Sequence, residues 1–303
     1  MVHGTALQAV LLAVSAAAAA AATTMDKRIH GGEAASLADF PYFVKVGTGC
    51  GGSLLDSTTV VTAAHCWRSL RQRTYVESMG EPGLVSPVES MITHPNYLES
   101  LKGWEGNEER YQQAYGFDVA ILKLSTPMEA GANVGYAKLP AADSPKPKAD
   151  SVGIAVGWGR NPKERGNVAK VELPILKDCP AQGGKWPVKN AICTGNGGRR
   201  KSACHGDSGG PLVDKDTGVL IGITMAGSCG EYTSFTPVAR HLAFIREKMN
   251  SRRPKGAPRC NIVQFTAGTK DTCLTSQDYR YDDPFSYQAQ KPKEVWWGHS
   301  QPH

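Results

Sequence analysis

The chain has 303 residues, 41% hydrophobic and only 20% charged, enough apolar material to bury a core and too much for an intrinsically disordered chain. Its formal charge of +6 is mild, and the densest basic block, "GGRRK" at 197–201, is too short to argue for a nucleic-acid partner. One large all-β domain or two ordinary domains fit this length.

Residues 6–22, "ALQAVLLAVSAAAAAAA", form an apolar run that ends in small residues suited to signal-peptidase cleavage. Residues 1–22 therefore read as a signal peptide, although positive charge before the run is sparse. A retained membrane anchor is the competing reading. No later segment is long and apolar enough to span a bilayer, so secretion without a membrane partner is expected, in a compartment that permits disulfides. A dibasic pair, Lys27-Arg28, follows; it is either a processing site or a solvated linker.

Beyond residue 28 come short β-branched or apolar runs cut by glycine and proline: "YFVKV", "STTVVTAA", "DVAILKL", "SVGIAVGWG", "PLVDKD" and "GVLIGITMAG". Such runs without intervening helices predict an all-β barrel or sandwich. One helix is expected in "TPVARHLAFIREKMN", where Val238, Leu242, Ile245 and Met249 share a face. Composition shifts at "NSRRPKGAPRC", 250–260. The remainder is polar, carries Tyr279, Tyr281, Phe285, Tyr287, Trp296 and Trp297, and is too poor in aliphatic residues to bury a core alone. It is expected to drape over the main domain or stay partly disordered.

The eight cysteines, Cys50, Cys66, Cys179, Cys193, Cys204, Cys229, Cys260 and Cys273, form an even set without the close pairs or histidine ladder of a zinc site. A disulfide framework fits, with its connectivity open from spacing alone.

The chemistry centres on "GDSGGP", 206–211. Its residues are ordinary turn formers, yet the string also fits G-x-S-x-G, a tight turn presenting a serine nucleophile. In an α/β-hydrolase the acid and then the histidine follow the serine, and a helix follows the elbow. Here His241 lies in the expected helix, His299 and His303 lie in the tail, and "PLVDKDTGVLIGI" reads as a hairpin. That assignment fails. Upstream, "VVTAAHC" sets His65 at the end of an apolar strand, and "GFDVAILKL" sets Asp118 at the head of another. A carboxylate in such an apolar setting needs a partner, and a histidine is a good one. The order is His65, Asp118, Ser208.

Together with "RIHGG", "CGGSLL", "TAAHC", "DVAIL" and "GWG", these segments resemble the trypsin/chymotrypsin-like serine proteases over residues 29–250. The resemblance implies two six-stranded antiparallel β-barrels closed by a C-terminal helix, with the site between the barrels. Residues 251–303 form an irregular extension outside that pattern. By the same resemblance His65 is the general base, Asp118 its orienting partner and Ser208 the nucleophile. The backbone N–H groups of Gly206 and Ser208 form the oxyanion hole, and no cofactor or metal is required. Residues 23–28 become a short propeptide, cleaved behind Arg28 to free Ile29, whose amino group pairs with Asp207. The implied disulfides are Cys50–Cys66, Cys179–Cys193 and Cys204–Cys229; Cys260 and Cys273, unmatched in the family, pair in the tail.

Specificity is read from the primary pocket. By resemblance Ser202 occupies its base, Gly227 its mouth and Thr233 the opposite wall, so a substrate cation finds no counter-ion and uncharged apolar residues are preferred. The expected partners are protein or peptide substrates, with a processing protease at Lys27-Arg28 and a protein inhibitor as further candidates. Three features depart from the family. Met225, Ala226 and Gly227 stand where Ser-Trp-Gly is usual, which removes a hydrogen bond to the buried aspartate; the segment from Asn96 to Asp118 is long; and the tail is extra. They keep open a second reading, a weakly active or inactive homologue that serves as a secreted binding protein.

Overall fold

The computed structural model describes residues 29–79, 83–101, 108–158, 168–180, 190–195 and 200–251, with two short strands at Gln264–Phe265 and Thr272–Cys273. The expected signal peptide, Lys27, Arg28 and Cys260 lie outside these residues. A two-residue strand, β1 (Glu33–Ala34), leads the described chain and joins the second of two sheets.

The first sheet is a closed barrel of β2 (Phe43–Val46), β3 (Cys50–Asp56), β4 (Thr59–Thr62), β5 (Tyr75–Ser78), β6 (Val85–Thr93) and β7 (Ala120–Leu124), in the order β2-β3-β4-β7-β6-β5. All four residues of β4 are buried. Its "TVVT" sequence, β-branched throughout, suits a pleated strand covered on both faces. Between the strands, α1 (Trp67–Gln72) follows the histidine turn, and α2 (Pro95–Leu101) and α3 (Glu108–Gly116) fill the long segment before Asp118. Pro95 opens α2, the position at which its missing N–H costs no helical bond.

The second sheet has seven strands in the order β1-β9-β8-β11-β12-β13-β10, all antiparallel. They are β8 (Val152–Gly157), β9 (Ala169–Pro174), β10 (Ile192–Gly195), β11 (Pro211–Asp214), β12 (Leu220–Ser228) and β13 (Tyr232–Pro237), with β1 on the β9 edge. The sheet curls until Ile175 bridges Thr194 and the Leu176 N–H donates to the Cys193 carbonyl at 2.8 Å. Among the described residues the second barrel thus closes through one bridge, and its six main strands gain a seventh at the edge.

The helix expected over 236–250 is shorter. Thr236 and Pro237 finish β13, residues Ala239–His241 make a 3-10 turn, and α4 runs Leu242–Asn250. The segment "YTSFTP" pairs with β12 and β10, and this pairing overrides helical spacing there. Val238, Leu242 and Ile245 are nevertheless all buried, with Met249 packed against the same core. Lys123 donates through Nζ to the Met249 carbonyl (2.8 Å) and Thr59 Oγ1 (3.0 Å), tying the end of α4 to the first barrel.

Two cores follow from strand alternation. Leu212 on β11 points into the second barrel with Ile29, Val171, Leu173, Ile192 and Phe235. Its neighbour Val213 points the other way, into a cluster shared with Val61, Ile121, Val238 and Ile245. Burying each such side chain contributes about 1.5–3 kcal/mol. The shared cluster locks the barrels together. No helix among the described residues is long and apolar enough to cross a membrane.

Candidate active site

Register brings His65 to Asp118. Thr62, the last residue of β4, lies opposite Ala120, the first of β7. His65 follows Thr62 by three residues on a 3-10 turn, and Asp118 precedes Ala120 by two, so both project from the same end of one strand pair. His65 Nδ1 lies 2.7 Å from Asp118 Oδ2, and the His65 main-chain N–H donates to Oδ1 at 2.9 Å. A carboxylate only accepts, so Nδ1 carries the proton and the neutral ring keeps its lone pair on Nε2. The Asp118 side chain is 2% exposed and that of His65 22%: the acid is sealed and the base reaches the cleft.

The serine loop belongs to the second barrel but docks on the first. The Ser208 carbonyl accepts from the Gly51 N–H on β3 at 2.7 Å, and its oxygen lies 3.6 Å from Cys66 Sγ, one residue beyond His65. Gly209 has φ +77°, and a Cβ there would run into Thr62 Oγ1 and the Gly51 carbonyl. A Cβ on Gly210 would lie 2.7 Å from the Val156 carbonyl. Two glycines must follow Ser208 because backbone from both barrels crosses there, and Pro211 then opens β11. Gly206, with φ +95°, occupies a turn in which the Asp207 N–H donates to the Cys204 carbonyl at 3.1 Å.

The three disulfides among the described residues join Cys50 to Cys66, Cys179 to Cys193 and Cys204 to Cys229. Donor atoms of Cys50, His65 and Cys66 lie within 4.8 Å of one another, but both sulfurs belong to one disulfide and are not thiolate ligands for a metal. Trp158 Nε1 donates to the Cys50 carbonyl at 3.0 Å, and Lys45 Nζ stands 4.3 Å from the Trp158 ring centre, a further tie between the barrels.

Asp207 is fully buried; its Oδ2 accepts from the Cys204 N–H at 2.8 Å, and Oδ1 presses on Gly157, where a Cβ would not fit. Ile29 is buried in the second core, and His30 bridges Ser202 through N–H to carbonyl bonds of 2.8 and 3.0 Å. Ser202 is fully buried, and its Oγ accepts from the Gly230 N–H at 2.6 Å. Thr233 and Gly227 lie opposite each other across β12–β13, and Thr233 Oγ1 accepts from the Ala203 N–H at 2.9 Å. The three residues expected to line the primary pocket are thus near neighbours in space, with both hydroxyls already engaged.

A model of the trypsin family matches residues 29–245. The chain belongs to the trypsin family. It is 32% identical over 250 residues to human transmembrane protease serine 5, covering 73% of this chain and 51% of that protein. It therefore spans about half the length of that relative. With hypodermin-B of Hypoderma lineatum it shares 31% identity over 240 residues, covering 73% of this chain and 86% of that protein. Two solved structures share the fold. One of HBP has TM-score 0.59 and 22% identity, and one of human heparin binding protein has TM-score 0.56 and 24% identity; each covers 75% of this chain and 99% of the other.

Two features of this trypsin-family chain bear on Asp118. Met225 is buried at a bulge of β12, between the pairs Thr224–Phe235 and Ala226–Ser234. Among the described residues, both Asp118 oxygens take their hydrogen bonds from His65 alone. The main chain around Asp118 is held by a group that sequence reasoning missed. Thr236 Oγ1 donates to the Asp118 carbonyl at 3.1 Å, His241 Nε2 lies 3.0 Å from the Gly116 carbonyl, and the His94 N–H donates to the Val119 carbonyl at 3.0 Å. The His94 ring stacks on Phe117 at 4.8 Å and meets His241 edge-on at 5.2 Å. Burial, then Arg240, lowers His94 to about 4; burial, then His94 and Arg240, lowers His241 to about 4. Both rings are neutral at pH 7. Nothing in the spacing of His94 and His241, 147 positions apart, marks them as partners.

Proposed function

We propose that this chain is a secreted serine endopeptidase that hydrolyses peptide bonds through an acyl-enzyme on Ser208. The observation that carries the reading is the His65–Asp118 pair at 2.7 Å, beside a serine loop seated on the same Cys50–Cys66 disulfide. His65 Nε2 takes the Ser208 proton as Oγ attacks the scissile carbonyl, then returns it to the leaving amine; water repeats the cycle on the ester. Asp118 keeps the ring in the Nδ1–H tautomer and stabilises the imidazolium. The N–H groups of Gly206 and Ser208 receive the developing oxyanion, an interaction worth about 3–4 kcal/mol per donor in the transition state. Beyond Ile223, where its ladder with β11 ends, β12 has no further strand partner on that side among the described residues. Residues Ala226–Ser228 then offer an edge for an extended substrate.

Cleavage after uncharged apolar residues follows from Ser202, Gly227 and Thr233, which bring no carboxylate to a buried substrate cation. Synthesis as a zymogen, cut behind Arg28, is supported by the buried seat of Ile29 beside the Ser202 segment. Residues 251–303 are an accessory extension outside the catalytic machinery. A peptide-library profile of the processed protein tests this reading, with Ser208→Ala and His65→Ala as controls. Each substitution should remove nearly all hydrolysis, and the double variant should be hardly worse than either single one. A profile dominated by arginine and lysine would overturn the pocket assignment alone. No labelling of Ser208 by a fluorophosphonate would favour a binding protein built on this scaffold.

A further inference from the structure

We infer that His30 is a positioning residue for the primary pocket, acting through Gly230 and Ser202. The inference deepens the protease reading and rests on it. Ser202, at the base of the pocket, is held from two sides: the main chain of His30 brackets it with bonds of 2.8 and 3.0 Å, and the Gly230 N–H reaches its hydroxyl at 2.6 Å. The His30 ring lies directly behind Gly230. A Cβ on Gly230 would be 3.0 Å from Nε2 and 3.1 Å from Cδ2, so the imidazole occupies the space that a side chain there would need. Gly230 is buried with φ +88°, follows the pocket cysteine Cys229, and leads into the turn closed by the Glu231 N–H on the Ser228 carbonyl at 2.9 Å.

The ring therefore fills the space beside Gly230, whose N–H holds the Ser202 hydroxyl, and the Ser228–Gly230 turn forms one lip of the pocket. His30 Nδ1 is buried with no hydrogen-bond partner among the described residues. Buried polar atoms in that condition are rare, and hydrogen bonding through Nδ1 does not account for the seat. What the imidazole supplies is shape: a flat body of the right depth between residue 30 and Gly230.

The test uses the full processed enzyme, with active sites counted by fluorophosphonate titration. In His30→Ala, KM for leucine and phenylalanine peptide amides should rise about 5–10-fold while kcat per titrated site stays within about twofold. The preference for phenylalanine over alanine should shrink by a similar factor. His30→Leu refills the seat and should restore KM to within about twofold of the parent. A role confined to seating Ile29 would instead lower the titratable fraction and kcat at unchanged KM, which overturns the proposal. Equal losses in the alanine and leucine variants also overturn it. If His30→Ala does not fold, Gly230→Ala, which drives a methyl group against the ring, must raise KM in the same way; unchanged KM there is the contrary result. A parent enzyme that neither labels nor cleaves would refute the protease reading itself, a separate failure.

Discussion

Gly209 illustrates how closely the two barrels approach at the serine. Its φ of +77° already disfavours any side chain, and a methyl group would collide with Thr62 Oγ1 and the Gly51 carbonyl, both in the first barrel. Gly209→Ala should therefore cost about 2–6 kcal/mol, the sum of left-handed strain and overpacking. Denaturant unfolding will measure it, and activity should fall with stability because the clash pushes the Ser208 loop off β3. A change under about 0.5 kcal/mol, ordinary for an exposed site, would mean that the barrels do not meet there. The need for small residues around Ser208 was legible in "GDSGGP". Which atoms crowd each glycine was not, because Thr62 and Gly51 are distant in sequence.

Among the elements, the junction of α3, β7 and α4 carries the clearest pH signature. His241 stands just before α4, buried against Gly116 and His94, and its pKa is about 4 against an ordinary 6.5. The folded chain thus resists a proton that the unfolded chain binds. Above pH 6.5 the difference vanishes; as pH falls from 6.5 toward 4, stability drops by up to about 3 kcal/mol through His241. His94 acts in the same direction. Urea unfolding at pH 7.5, 5.5 and 4.5 should show this slope, and His241→Phe should flatten it by about one proton. An unchanged slope in that variant would mean that another group sets the acid lability. Strands such as "DVAILKL" announce themselves by composition, whereas α2 and α3 did not. The long segment from Asn96 to Asp118 gives little local sign of them, because α2 has only seven residues and α3, "EERYQQAYG", carries Ala114 as its one aliphatic side chain.

On the scale of the whole molecule, the amino-terminal segment and the pocket belong to one body. Ile29 contributes to the second core, while His30 braces Ser202 and Gly230. Cleavage behind Arg28 is accordingly expected to govern activity. Arg28→Gln should accumulate a longer form with at most a few per cent of parental activity, and amino-terminal sequencing of the active enzyme should begin at Ile29. Active enzyme starting well away from Ile29 would contradict this coupling.

The sequence by itself determined the residue types and their order: His65, Asp118 and Ser208, the turn glycines, the strand-forming runs and an even set of cysteines. These depend on neighbours along the chain, through turn chemistry, β-branching and apolar spacing. The tertiary structure alone decided the Thr62–Ala120 register that sets His65 against Asp118, and the docking of the Ser208 carbonyl on Gly51. It also decided the His94–His241 clamp and the placing of the His30 ring beside Gly230. Those contacts join residues tens to hundreds of positions apart. They arise from barrel closure and interdomain packing, in which the shape of one segment is defined by another that no local pattern encodes.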